Sequence, residues 1–186
     1  IISHEYGNVE PEQIFGIIKK YLPEGEKWDL MIAHPPCTYL CRAQSCLYNR
    51  NRFGDKYVDD RLEKQRQAID FFMKFTELNC PTLIENPIGI MSKHYKPASQ
   101  VIEPYMFGDE ATKATCLWLH DLPKLILTNI VSKGGKHEFP KSNAMGAWYY
   151  STSKYPVKDR ARIRSKTFPG IAKAMAEQWG GDANVL

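Results

Sequence analysis

The stretch Trp28-Asp29-Leu30-Met31-Ile32-Ala33-His34-Pro35-Pro36-Cys37-Thr38-Tyr39 constrains the fold of this chain more than any other. Leu30 to Ala33 make a short apolar run closed by breakers, the pattern of a strand covered on both faces. Pro35 and Pro36 each fix φ and remove a backbone donor, so a sheet ladder has to stop before them. Cys37 is thereby delivered to the carboxyl end of a strand, where open α/β sheets place their ligands.

A second run repeats the arrangement. Thr82-Leu83-Ile84 follows Cys80-Pro81 and gives way to Glu85-Asn86-Pro87. Between the two runs, Leu62, Ala68, Ile69, Phe72, Phe75 and Leu78 recur at helical spacing, which predicts a helix over about 59–78. Strand, helix, strand makes a βαβ unit, and such a unit brings Cys37 and Glu85 to one edge of the sheet. A third strand is predicted over Ala114–Leu119, closed by Asp121-Leu122-Pro123. The spacing of Ile171, Ala172, Met175, Ala176 and Trp179 predicts a final helix from Pro169 to Trp179, stopped by Gly180-Gly181. A first helix is expected from Pro11, with Ile14, Phe15, Ile17, Ile18, Tyr21 and Leu22 as its apolar face. The expectation is an α/β fold with a mostly parallel sheet and helices on both faces. At 186 residues the chain is read as one domain, 1–186. Residues 41–60 read as a long mobile loop, and 121–160 as a short irregular region.

Two side chains stand out for chemistry. A free cysteine is commonly a small buried hydrophobe, but one that follows two prolines at a strand end is better placed to line a cleft. Glu85, at the end of an apolar strand, could hydrogen-bond a heterocycle; an ion pair or a cap is the plainer reading. The loop after Cys37 carries Arg42, Arg50 and Arg52 among Tyr48, Phe53 and Tyr57, a pattern that suits phosphates and bases or simply a solvated loop. The net charge of +4 is compatible with a nucleic-acid partner without requiring one. The five cysteines are an odd number without paired zinc-type spacing. They read as reduced thiols in a cytoplasmic protein, with no metal expected; Cys41 and Cys46 read as structural or incidental. No apolar run is long enough to span a bilayer.

Taken together, these stretches resemble the DNA cytosine-C5 methyltransferases. Ala33-His34-Pro35-Pro36-Cys37-Thr38 resembles that family's Pro-Cys catalytic loop, and Ile84-Glu85-Asn86-Pro87 its Glu-Asn-Val motif. Phe107-Gly108-Asp109-Glu110-Ala111-Thr112-Lys113-Ala114-Thr115 is similar to a divergent form of its Gln-x-Arg-x-Arg segment. Thr167-Phe168-Pro169-Gly170-Ile171-Ala172 is similar to its closing motif. The likeness runs from about Trp28 to Trp179, and the whole resembles small phage- and prophage-type members of the superfamily. It implies a Rossmann-like class I methyltransferase fold, in bacteria or a phage-infected host cell.

The resemblance also implies roles. Cys37 would add to carbon 6 of cytosine and Glu85 would hold ring nitrogen N3, making both catalytic. Pro36, Asn86, Lys113, Thr115, Arg42, Arg50 and Arg52 would contact the substrate, a DNA strand that is single or has its base flipped out. His34, Pro35, Ile171 and Ala172 would lie by the cofactor, S-adenosylmethionine. The family's opening Gly-rich motif is not in this sequence, and the N-terminal part of the fold is expected to be missing. The arginine pattern is altered to Lys113 and Thr115, and no large target-recognition domain fits between Asp121 and Arg160. Other readings are a catalytically silent nucleic-acid- or partner-binding module, another carbon-5 pyrimidine modification, and an exocyclic-amino methyltransferase. Cys37 argues against the last, which uses an aromatic residue there.

Overall fold

The computed structural model describes residues 26–134 and 147–180, together with Gln13, Phe15 and Gly16. Among these residues the chain is an α/β protein built on a four-stranded sheet in the order β1-β2-β4-β3. The strands are β1 (Met31–Ala33), β2 (Thr82–Pro87), β3 (Gln100–Ile102) and β4 (Thr115–His120). The helices are α1 (Arg50–Phe53), α2 (Asp55–Lys74), α3 (Met91–His94), α4 (Ala147–Ser151), α5 (Val157–Ser165) and α6 (Pro169–Trp179).

β1 and β2 pair in parallel, with Ala33 opposite Ile84, and α2 lies between them in sequence as the βαβ pattern requires. The sheet is otherwise not the parallel one expected. β4 pairs antiparallel with β2 and again with β3, so the sheet is mixed. β3, absent from the sequence reading, is three residues long and runs in the same direction as β2. The connection from β3 to β4 holds only a 3-10 turn at Pro104–Met106. Without a crossover helix the returning strand reverses direction, which is why β4 enters antiparallel.

Alternation along the strands sorts the core into two faces. Ala33, Ile84, Cys116 and Trp118 point to one side and pack with Phe72 and Phe75, under the end of α2. Leu83 and Leu117 point to the other and pack with Ile171, Ala174 and Met175 of α6. Glu85 shares a face with Leu83, and so emerges toward α6. Asn86 shares the face of Ile84.

The start of α6 is fixed by the loop before β4. Phe107 is buried, Gly108 turns at φ 97°, and the Asp109 carboxylate accepts the Gly170 N–H at 2.9 Å. This carboxylate satisfies one of the helix's orphan amides and suits its positive end. Asp109→Ala should lower stability by about 1 kcal/mol, a typical cost for losing a cap, and a urea denaturation midpoint would read it.

Other expectations shift in detail. Residues 41–60, expected as a loop, hold a 3-10 helix at Arg42–Tyr48, α1 and the first turns of α2. Within 121–160, read as irregular, α4, a 3-10 turn at Thr152–Lys154 and the start of α5 are regular, and 135–146 lie outside the described residues. The helix expected from Pro11 also lies mostly outside them; Gln13, Phe15 and Gly16 are helical, and Phe15 packs on Phe75. The last helix runs from Pro169 to Trp179 as predicted, and Gly181 is outside the described residues. No described helix is long and apolar enough to cross a membrane.

Candidate active site

The turns after β1 and β2 are stitched into one unit. Arg42 N–H donates to the Ile88 carbonyl and Ile90 N–H to the Leu40 carbonyl, each at 2.9 Å, and Cys41 bridges Gly89. The His34–Cys37 turn and the Asn86–Gly89 turn therefore move together. Asn86 adds a third tie: its buried amide donates to the Pro35 carbonyl at 2.8 Å. Asn86 was expected at the substrate, but at 1% exposure it sits behind the Cys37 turn and positions it.

From the back, α2 clamps the segment that follows Cys37. Arg61 is buried, a rare state for a guanidinium, and is compensated by carbonyl and aromatic partners. It donates to the Thr38 carbonyl and to Gln44, and lies 4.9 Å and 5.0 Å from the ring centres of Tyr39 and Tyr48. Gln65 donates to the Tyr39 carbonyl and the Tyr48 hydroxyl. The sequence reading missed Arg61 and Gln65. Their signal was faint: two polar residues four apart on a helix whose apolar side is otherwise regular.

In front of this scaffold, Glu85 rises from β2 and accepts from His34, Nδ1 to Oε2, at 2.9 Å. The Glu85 side chain is 17% exposed, and that of His34 is 42% exposed. Glu85 also lines a narrow cleft of about 10 Å³, partly open to solvent, with Lys113, Thr115, Thr167, Phe168, Ile171 and Met175. Lys113 donates to the carbonyls of Arg164 and Lys166 at 2.8 Å and 3.4 Å. Burial pulls its ammonium below the usual lysine range, and the negative charge of Glu85, joined by Cys37 whenever that thiol ionises, opposes the pull. Cys37, Glu85 and Lys113 thus sense one another electrostatically; the strand-end argument concerned Cys37 and Glu85, and Lys113 entered through the resemblance.

Cys37 is half-buried, and its carbonyl accepts from the Cys41 N–H at 3.0 Å. The neighbouring Cys41 thiol, followed by burial, pushes the Cys37 thiol above its ordinary value, and the same coupling pulls Cys41 down. From the sequence Cys41 reads as structural or incidental; its bridge to Gly89 gives it a structural place in the turn.

The remaining assigned residues divide. Pro36 is exposed beside Cys37, and Thr115 lines the cleft. Arg50 is tied to Asp55 and Asp59 at 2.9 Å and 2.6 Å, so an anion would compete with two carboxylates for it. Arg52 sits over Phe53, and Arg42 is exposed. A richer cationic run, unremarked in the sequence, spans 154–166: six Lys and Arg against Asp159 alone. It contains α5 and ends at the two carbonyls that hold Lys113.

The residues assigned to S-adenosylmethionine do not fit it as a set. Of the four, Ile171 alone lines the cleft, and it does so from the core. Pro35 is buried, Ala172 is exposed, and His34 is engaged by Glu85. Among the described residues, no group of three or more His, Cys, Asp or Glu could hold a metal ion.

The fold and the site define an α/β protein with a thiol, a carboxylate and an ammonium gathered at a sheet edge. A scan against protein-family models and a search of curated proteins each found no match to this chain.

Proposed function

We propose that this protein modifies carbon 5 of a cytosine base in DNA through a covalent adduct at Cys37, as a methyltransferase-like enzyme. The observation that carries this reading is the parallel β1–β2 pair. Its register brings the turn that carries Cys37 to the strand end that carries Glu85, and Lys113 lines the same cleft as Glu85. A Rossmann-like arrangement is part of the proposal, supported by the βαβ unit and by helices on both sheet faces.

The chemistry follows from the base. Carbon 5 of cytosine is a weak nucleophile while the ring stays aromatic. When the Cys37 sulfur adds to carbon 6, the carbon 5–carbon 6 π pair shifts toward N3 and O2, and carbon 5 becomes enamine-like. Glu85, with His34 at 2.9 Å as its proton partner, holds N3. Lys113 spends two N–H groups on carbonyls and has a third for the cleft, where negative charge grows on O2. The cleft, on the scale of a single water, has to open to admit a base, and the base must also leave a duplex to reach it.

The donor belongs to the proposal through the resemblance: S-adenosylmethionine would supply the methyl group. Because the residues assigned to it do not converge, the steps above are confined to the base. A catalytically silent nucleic-acid-binding module is the alternative this misfit favours.

Exchange of the carbon 5 hydrogen separates the two readings without any donor. Reversible addition at carbon 6 lets carbon 5 take a proton from water and lose one again. In deuterium oxide, cytosine in single-stranded DNA should gain deuterium at carbon 5 when the protein is added. Absence of exchange, with and without S-adenosylmethionine, would leave the silent module as the surviving reading.

A further inference from the structure

The run 154–166 is set apart by what holds its cations. Arg160 donates to the carbonyls of Tyr155 and Ser153 at 2.8 Å and 2.9 Å. Arg164 donates to the hydroxyls of Thr152 and Tyr149, each at 2.8 Å, and lies 3.7 Å from the centre of the Tyr149 ring. These partners are neutral, so they fix the guanidinium groups without cancelling their charge. Elsewhere the opposite holds: Arg50 is paired with Asp55 and Asp59, Lys64 with Asp60, Arg66 with Glu63 and Lys173 with Glu177. Among the described residues no carboxylate pairs with Lys154, Arg160, Arg162, Arg164 or Lys166. Arg162 and Lys166 are also exposed. Clustered cations without counter-charges on the protein suit an anionic partner.

The run also reaches the site. Lys113 donates to the carbonyls of Arg164 and Lys166, which fastens the end of the run to the cleft that Glu85 lines. Thr167 and Phe168, the next two residues, line that cleft themselves, and Trp148 packs on Phe168 with ring centres 4.7 Å apart. At the other end Tyr155 is 41% exposed, and the Lys154 ammonium lies 5.3 Å from its ring centre. An exposed aromatic face among cations is what unpaired bases stack on, whereas a duplex keeps its base faces covered.

We propose that Tyr155, Arg162 and Lys166 form a track for single-stranded DNA that ends at the rim of the cleft, with phosphates along the cations and a base on Tyr155. Its end point rests on reading the cleft as the base site. The strand then runs past α5 rather than over the 42–52 segment, where Arg50 is already neutralised and Arg52 is laid over Phe53.

Fluorescence anisotropy with a labelled, cytosine-containing single-stranded oligonucleotide tests this on the full chain. The double variant Arg162→Glu/Lys166→Glu should weaken binding by about tenfold or more at low salt. It should also flatten the slope of log K against log salt by about 1.4, the share of two phosphate contacts in a single strand. Tyr155→Ala should weaken binding by about fivefold or more and leave the slope unchanged, because stacking releases no counterions. Arg42→Glu/Arg52→Glu alters the net charge equally and should cost far less. A loss from that pair as large as the loss from Arg162→Glu/Lys166→Glu overturns the proposal, as does wild-type protein that fails to bind the strand. If circular dichroism shows either double variant unfolded, Lys166→Gln and Arg42→Gln replace them under the same comparison. Carbon 5 exchange on deoxycytidine monophosphate, too short to need the track, separates this proposal from the functional reading. Exchange on the mononucleotide beside failed strand binding overturns the track alone. Strand binding through Arg162 and Lys166 with no exchange keeps the track and sinks the methyltransferase-like reading.

Discussion

Cys37→Ser is expected to reduce carbon 5 exchange and methyl transfer by at least about a thousandfold, because in this reading the adduct forms at the Cys37 sulfur. A serine hydroxyl holds its proton far more tightly than a thiol and is the weaker nucleophile near neutral pH. The fold should survive. The turn is held through the Cys37 carbonyl, which accepts from Leu40 and Cys41, and through Asn86 on Pro35, so the sulfur is not part of the scaffold. Thermal unfolding should therefore stay close to wild type while DNA containing 5-fluorocytosine no longer forms a denaturant-resistant complex. Transfer at the wild-type rate would remove the covalent route altogether.

Gly89→Ala should destabilise the protein by about 3 kcal/mol or more, near the top of the range for overpacking, and take the site with it. A Cβ at Gly89 would stand 2.0 Å from the Leu40 carbonyl oxygen and 2.9 Å from its carbon. Both are backbone atoms, so no side chain can swing aside. Relief requires the β2 turn to back away from the β1 turn, breaking the Ile90–Leu40 and Arg42–Ile88 bonds. Those bonds join the turn that follows Cys37 to the turn that follows Glu85. The denaturation midpoint should drop, and carbon 5 exchange should fall even at temperatures where the variant is folded. A midpoint within experimental error of wild type would show that the two turns are not rigidly coupled.

These expectations separate the two kinds of information that went into the site. Its central pair was readable from local pattern. An apolar run ended by Pro35-Pro36, a helix, and a second run carrying Glu85 are enough to put Cys37 and Glu85 at one sheet edge, because a βαβ connection leaves little choice of direction. The α6 boundaries were equally plain, since Pro169 starts a helix and Gly180 stops it. Lys113 was reached by a different road, resemblance to a family motif, and packing placed it on the same cleft as Glu85.

What the linear pattern could not carry was partner choice. β3 is too short to show a period, and the reversal of β4 follows from a connection without a crossover helix, which shows only once β3 is seen to pair with it. The polar helix at 42–48 has no apolar stripe to betray it; Arg61 and Gln65 supply from α2 the contacts that hold it. Asn86 looks like a substrate ligand until its amide is found on the Pro35 carbonyl. Cys41 reads as structural or incidental until its bridge to Gly89 shows it tying the two turns. Strand, helix and breaker are written in neighbouring residues because their energetics are local. Hydrogen bonds across 51 residues, as between Asn86 and Pro35 or His34 and Glu85, exist only once the sheet has brought the partners together.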